Sequence, residues 1–327
     1  MIATEDPHLG ERTAALLGRA TDPFVVALVD RDGTRVAMRG MDRSSDVEIG
    51  SVSKGVTGLL LHDAITRGEV AMDTRLGDLL ALGDGSIGDI ALGALATHRA
   101  GLPRLAPGSR ALRGTWRLMT RGENPYGESL AVLLDRVRER HPSSRDRARY
   151  SNLGFMLLGH AVAAGAGMRY ARLVHTRVAV PLGLPGMSVP GSPLELGPRA
   201  MQGRNRRGAV TQPWTGEALG PAGGIRATVD DLGRLVAALL DGTAPGVAAL
   251  DPVTTFAGRG VRIGAAWITV THADREITWH NGGTGGFRSF AGVDRAAGRG
   301  VALVRASPRA ADRAGFAMLT EPAHTSE

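Results

Sequence analysis

Residues 48–58 read EIGSVSKGVTG and hold the single lysine of the chain: of 39 lysine and arginine side chains, all but Lys54 are arginine. From Ser51 to about Arg67 the apolar residues Val52, Val56, Leu59, Leu60 and Ala64 recur at helical spacing, and Gly68 ends the run. Ser51 therefore stands at the N-terminal end of a helix, with Lys54 one turn on and on the same face. A serine hydroxyl becomes a good nucleophile only when its proton is removed, and a lysine whose pKa is lowered by burial and nearby charge can remove it. Arginine stays protonated and cannot. A lysine kept among arginines is thus explained by the need for a removable proton, although one surviving surface lysine would look the same. The helix N-terminus also favours negative charge developing near Ser51.

Two later stretches offer partners. ARYSNLGFMLLG (148–159) places Tyr150, Ser151 and Asn152 at the start of a second helix. A phenol held near an ammonium can ionise and shuttle protons, and Asn152 can hydrogen-bond a substrate amide. The plainer reading makes Ser151 or Asn152 an N-cap and Tyr150 a packing residue. WHNGGTGGFRSF (279–290) follows a strand pattern with a glycine-rich turn. There a backbone N–H at Gly283 can join that of Ser51 as an oxyanion hole, and His280 brings a titratable donor. The plainer reading is a glycine-rich hairpin with a satisfied histidine. A phosphate cradle is disfavoured, since the turn holds no Walker lysine.

The rest of the chain is organised around these points. FVVALVDRDGTRVAMRG (24–40) reads as two strands around an Asp-Gly turn. The patterns 261–272, 276–282, 287–294 and 300–307 read as strands, and 311–320 as a closing helix. Between them, residues 70–215 alternate helical segments, such as SLAVLLDRVRER (129–140), with Pro- and Gly-rich loops. The expected architecture is α+β: an antiparallel sheet flanked by helices, built from residues 1–69 and 216–327, with a mostly helical domain of 70–215 inserted and the site at their interface.

Composition narrows the function classes. At 327 residues with 43% hydrophobic and 22% charged side chains, the chain buries a substantial core. A net charge of +7 invites nucleic acid as a partner, but the arginines are dispersed and only 4% of residues are aromatic, so none is expected. The short clusters RDRAR (145–149) and RNRR (204–207) read as solvated faces in preference to an anion-binding patch. With no cysteine there is no disulfide frame, thiolate metal site or cysteine nucleophile. The histidines show no metal-ligand spacing, so no metal and no cofactor are expected. No apolar run suggests a signal peptide or a membrane span, and a cytoplasmic protein is the expectation. Oligomeric state is not legible.

Taken in order, Ser-x-x-Lys, Tyr-Ser-Asn and His-Asn-Gly resemble the three motifs of the serine β-lactamase and penicillin-binding-protein superfamily. The likeness is closest to the class C β-lactamase-like branch of esterases, D-peptidases, transesterases and amide hydrolases. It extends over nearly the whole chain through EIGSVSKGVTGLLL, LGALATHRAGLPRL, YSNLGFMLLG, PAGGIRATVDDLGRLV and WHNGGTGGFRSF. The resemblance implies Ser51 as the acylated nucleophile, Lys54 as its base and Tyr150 as the proton carrier for the leaving group. It further implies Asn152, Asn281 and Gly282 as substrate contacts, His280 as a polarising group and Ser51 with Gly283 as the oxyanion hole. Histidine at 280 instead of lysine removes a permanent cation that would hold a β-lactam carboxylate. His98 is expected to be structural, and the loops 103–128 and 205–222 to shape the pocket, with Trp116 or Tyr126 either over it or in a core or surface position. The implied activity is hydrolysis of a small ester, amide or peptide-like substrate through an acyl-enzyme. Transfer of the same acyl group to another acceptor is the alternative, and a non-catalytic sensor on the same fold a third reading.

Overall fold

The computed structural model describes residues 3–18, 22–83, 85–104, 122–143 and 147–320. Trp116 lies outside them. Chain order begins β1 (Thr4–Glu5), α1 (Pro7–Leu17), β2 (Phe24–Asp30), β3 (Gly33–Arg39), β4 (Val47–Glu48), α2 (Val52–Thr66), α3 (Leu76–Leu79) and α4 (Leu92–Ala96). It continues with α5 (Leu130–Val137), α6 (Asn152–Gly165), α7 (Tyr170–Val174), α8 (Val180–Leu182), α9 (Gly220–Gly223), β5 (Arg226–Ala227) and α10 (Val229–Asp241). Six further strands follow, β6 (Thr254–Ala257), β7 (Val261–Ile263), β8 (Ile268–His272), β9 (Arg275–Gly283), β10 (Arg288–Asp294) and β11 (Arg299–Arg305), before α11 (Asp312–Thr320).

The two ends of the chain complete one nine-stranded sheet in the order β1-β3-β2-β11-β10-β9-β8-β7-β6. Every pairing is antiparallel except β1 with β3. The join is β2 against β11, where Val26 faces Leu303. β2 is buried on both faces, which explains its unbroken apolar run: Val25, Ala27 and Val29 enter the main core while Phe24, Val26 and Leu28 enter a second one. The second core is closed by α1 and α11, with Leu9, Leu17, Met318 and Leu319. The main core takes α2, α6 and α10. The helix α10 starts at a capping box, in which Thr228 Oγ1 accepts from Asp231 N–H and Asp231 Oδ2 accepts from Thr228 N–H.

The α+β architecture expected from the pattern is the one observed, with sheet strands drawn from residues 4–39 and 254–305 around a mainly helical middle. On that topology we propose 1–69 with 216–327 and 70–215 as the two parts of the molecule. One expectation changes: VRIGAAWITVTH is two strands, since Ala266 takes a left-handed φ of 70° and turns the chain, while Trp267 becomes fully buried. Trp267 Nε1 donates to Gly55 O at 3.2 Å, and a Cβ on Gly55 would lie 2.6 Å from its ring, so only glycine lets α2 approach this tightly.

Beneath the start of α2 a second, two-stranded sheet pairs β4 with β5. Its Arg226, with no exposed surface, donates to Asp46 Oδ1 at 2.9 Å and to Glu48 Oε1 at 3.2 Å, and reaches the carbonyls of Asp46 and Met201. Glu48 Oε1 also accepts the N–H of Trp214. This satisfied ionic knot fixes the strand that feeds directly into Ser51.

Candidate active site

Ser51 is the residue before α2, and its side chain makes no cap hydrogen bond. The hydroxyl is therefore left for other partners, and it lies 3.0 Å from Lys54 Nζ. Lys54 is fully buried, and its amine also donates to Ala222 O at 2.5 Å. That carbonyl is held in place by α2 itself: Thr57 Oγ1 donates to Pro221 O, and Ser53 Oγ accepts the N–H of Ile225. Burial, first, and the Arg104 charge, second, push the Lys54 pKa well below the ordinary lysine value. Unprotonated, the amine can give one N–H to Ala222 and turn its lone pair toward Ser51.

Tyr150 closes the other side. Its ring centroid is 5.0 Å from Lys54 Nζ, and its hydroxyl is hydrogen-bonded to Ser51. Burial raises the phenol's pKa far more than the Ser51 hydrogen bond lowers it. This reverses the expectation of an ionised phenol beside an ammonium: the amine is the group driven toward its neutral form, and the phenol keeps its proton. The cause is common to both, because desolvation penalises whichever form is charged. Ser151 proves to be the helix N-cap, accepting from Gly154 N–H at 2.9 Å and donating to Pro103 O at 2.7 Å.

His280 departs from the role expected of it. Its Nδ1 makes a 2.6 Å hydrogen bond to Asn281 O, which can only accept, so Nδ1 carries the proton and the buried Nε2 has no hydrogen-bond partner among the described residues. The ring is 6.3 Å from that of Tyr150 and almost wholly buried. Burial and the Lys54 charge lower its pKa to about 3. The ring is thus held neutral near Tyr150, with an unprotonated Nε2 that can accept a hydrogen bond. His98 is also buried and neutral: its Nδ1 accepts the N–H of Ser151, and its ring packs 4.6 Å from Tyr150 and 4.8 Å from Phe155. It is structural, as expected, and supports the Tyr150 ring directly.

The end of β9 lies against the start of α2. A Cβ on Gly282 would fall 2.1 Å from Ser289 Oγ, 2.2 Å from Ile49 O and 2.9 Å from Ser51 N, and one on Gly50 would fall 2.6 Å from Gly283 N. The backbone N–H groups of Ser51 and Gly283 are thus brought together by glycines that leave no room for a side chain. Such a pair can stabilise an oxyanion.

These groups open into a cleft of about 680 Å3 lined by Ser51, Tyr150, Asn152, Asn281, Gly282 and Gly283. Tyr126 and Trp214 form one wall, ring centroids 4.9 Å apart, and Asn152 Nδ2 donates to the Tyr126 hydroxyl at 2.9 Å. Arg104 and Arg288 line it as well, so cations are present although His280 is not one. Sequence reasoning singled out neither arginine. Among 38 dispersed arginines nothing local marks the two that the start of an interior strand and a loop bring to one cleft. Among the described residues no three His, Asp or Glu side chains gather as metal ligands, and no helix is long and apolar enough to cross a membrane.

Comparison with known proteins follows the same lines. The family profile described as Beta-lactamase matches residues 14–318. The chain is similar to the D-alanyl-D-alanine-carboxypeptidase/endopeptidase AmpH of Escherichia coli (strain K12), 32% identical over 196 residues, 58% of this chain and 48% of the other. It spans about half the length of that curated relative. Among solved structures it is similar to a class C beta lactamase from Rhodobacter sphaeroides, with TM-score 0.77, 22% identity and coverage of 94% and 98% of the two chains. It is also similar to a Beta-Lactamase/D-Alanine Carboxypeptidase from Pseudomonas syringae, with TM-score 0.80, 15% identity and coverage of 98% and 100%. At those identities the structural likeness establishes the fold.

Proposed function

This chain belongs to the Beta-lactamase family, and from that premise we propose that it is a serine acyl hydrolase acting on a small ester or peptide-like amide through Ser51. The observation that carries the reading is the 3.0 Å contact between the Ser51 hydroxyl and a buried Lys54 amine. Neutral Lys54 takes the Ser51 proton as Oγ attacks the substrate carbonyl. The oxygen of that carbonyl becomes an oxyanion facing the N–H groups of Ser51 and Gly283. Tyr150 gives its proton to the departing oxygen or nitrogen and regains one from the Lys54 ammonium, so the leaving group departs neutral and Lys54 is restored. Water then attacks the ester on Ser51 and gives its proton to Lys54, Tyr150 protonates the departing Ser51 Oγ and is reprotonated by Lys54, and the acid is released.

A peptide-like substrate is supported by the name of the Escherichia coli relative, a carboxypeptidase and endopeptidase. The acyl-enzyme can equally pass its acyl group to an amine or alcohol, which makes acyl transfer the second reading. Its supporting observation is the size of the cleft, whose 680 Å3 or so leaves room for an acceptor beside a small acyl group. A sensor without turnover is opposed by the assembled nucleophile, base and oxyanion groups.

The test is intact-protein mass measurement after exposure to p-nitrophenyl acetate, a fluorophosphonate and a penicillin, for the natural protein, Ser51→Ala and Lys54→Arg. A Ser51-dependent adduct that Lys54→Arg slows is expected. An adduct that survives Ser51→Ala sinks the proposal, and diversion of product by an added amine or alcohol favours transfer.

A further inference from the structure

Beside the catalytic cleft, and sharing a wall with it, lies a second cavity of about 740 Å3 lined by Arg204, Arg206 and Arg309. The shared wall is continuous in sequence: Ala306 to Arg309 line the second cavity, and Ala310 to Asp312 line the catalytic cleft. A backbone contact locks the opposite side, where a Cβ on Gly203 would lie 2.6 Å from Gly286 Cα. This places the RNRR loop (204–207) against the turn between β9 and β10. The charges of the two cavities feel each other: the Arg288 pKa is lowered first by burial and second by the Arg206 charge.

The acids nearby do not balance these arginines. Asp22 lines the second cavity, but it is taken up by Arg305, a buried guanidinium outside the trio. Asp312, at the boundary, is the one other carboxylate lining the two cavities among the described residues. Arg204 donates to Gly208 O at 2.8 Å, which orders the loop and leaves its charge uncompensated. Arg206 and Arg309 are exposed and have no carboxylate within ion-pair distance among the described residues. Three guanidiniums that converge on one concavity repel one another unless an anion sits between them. Their planar forks suit the paired oxygens of a phosphate or carboxylate.

We propose that this cavity is an anion subsite that binds a phosphate or carboxylate carried on the far arm of the substrate whose carbonyl reacts at Ser51. The arm runs from the cleft past Arg288 and ends between Arg206 and Arg309. Its role in turnover rests on the acyl-enzyme reading above, whereas its binding of anions does not. RNRR, taken from sequence as a solvated face, is in this account a recognition loop, because folding brings Arg309 from the far end of the chain to meet it.

Two measurements test this. First, calorimetric titration of Ser51→Ala protein with inorganic pyrophosphate and with citrate should show saturable binding. Arg206→Gln/Arg309→Gln in the same background should weaken it at least about tenfold. Both substitutions are at exposed positions, and an unchanged melting temperature verifies the fold. Absent binding, or binding that the double substitution leaves unchanged, overturns the subsite. Second, acetyl esters with a flexible arm ending in phosphate, carboxylate or neutral amide are compared. The expected result is a lower KM for the charged arms, lost in Arg206→Gln/Arg309→Gln while the neutral ester is unaffected. The phosphate and carboxylate arms identify which oxyanion is preferred. Equal KM for all three arms overturns the subsite. If no ester acylates Ser51, the hydrolase reading fails, and the titration alone decides the subsite.

Discussion

The Lys54 amine stands 3.0 Å from the Ser51 hydroxyl and 2.5 Å from the Ala222 carbonyl, with no exposed surface of its own. Burial makes the neutral amine accessible at ordinary pH, and the carbonyl fixes which way it points. Lys54→Arg retains a cation of similar reach that cannot give up its proton. It should lower kcat/KM for p-nitrophenyl acetate by about a hundredfold or more, in the range general-base removal usually gives. Full activity in this variant would remove Lys54 from the chemistry.

The pH dependence of turnover follows from the same burial. With the Lys54 pKa lowered and the Tyr150 pKa raised, kcat/KM should increase with pH as Lys54 loses its proton, then hold a plateau into alkaline pH while the phenol stays neutral. Stopped-flow acylation rates across pH give the profile. A decline beginning near the ordinary tyrosine value would show that Tyr150 ionises more easily than its surroundings allow.

Acid should unfold the protein through its buried histidines. Burial, first, and the Lys54 charge, second, push the His280 pKa from an ordinary 6.5 down to about 3, and those of His98, His160 and His62 are also lowered, chiefly by burial. In the window between the folded and unfolded values the unfolded chain binds more protons. The histidines' contribution is therefore fully present above about pH 6.5 and is lost as pH falls toward 3, by up to about 1.4 kcal/mol per pH unit for the buried His280, His98 and His160 and by less for the solvent-screened His62. Urea unfolding at pH 7.5, 6 and 5 measures this, and His280→Asn should reduce the slope. A slope that His280→Asn leaves unchanged contradicts the assignment.

Gly282→Ala places a methyl group within 2.2 Å of Ile49 O and 2.9 Å of Ser51 N. β9 and the start of α2 must separate to admit it, which misaligns the two oxyanion donors. A drop in kcat of about 10²–10³ is expected, the usual effect of losing one such donor. Circular dichroism and melting separate that loss from unfolding, and a folded variant with unchanged kcat would place the oxyanion hole elsewhere.

Arg226→Met leaves the buried Glu48 and the half-buried Asp46 without their cation. The destabilisation should be about 3–5 kcal/mol. It should shrink as pH falls, because burial already raises both carboxyl pKa values and protonation removes the uncompensated charge. Chemical denaturation at two pH values checks both the size and the sign.

What the sequence by itself determined is local and ordered. Helical spacing after Ser51 put Lys54 on its face, the glycine-rich run from 282 to 286 marked where one strand ends and the next begins, and the strand patterns at the two ends implied one sheet. These are short-range consequences of side-chain period and backbone freedom, so they survive without knowing the rest of the molecule. The tertiary structure alone decided the electrostatics and the pocket walls. Whether Lys54 is neutral depends on its complete burial among segments distant in sequence, and His280 became an acceptor because of one bond to its neighbour's carbonyl. Arg288 joined Ser51 through the register of β10 with β9, and Arg309 met Arg206 across a hundred positions of chain. Burial and charge are sums over everything nearby in space, and no window of sequence contains those sums.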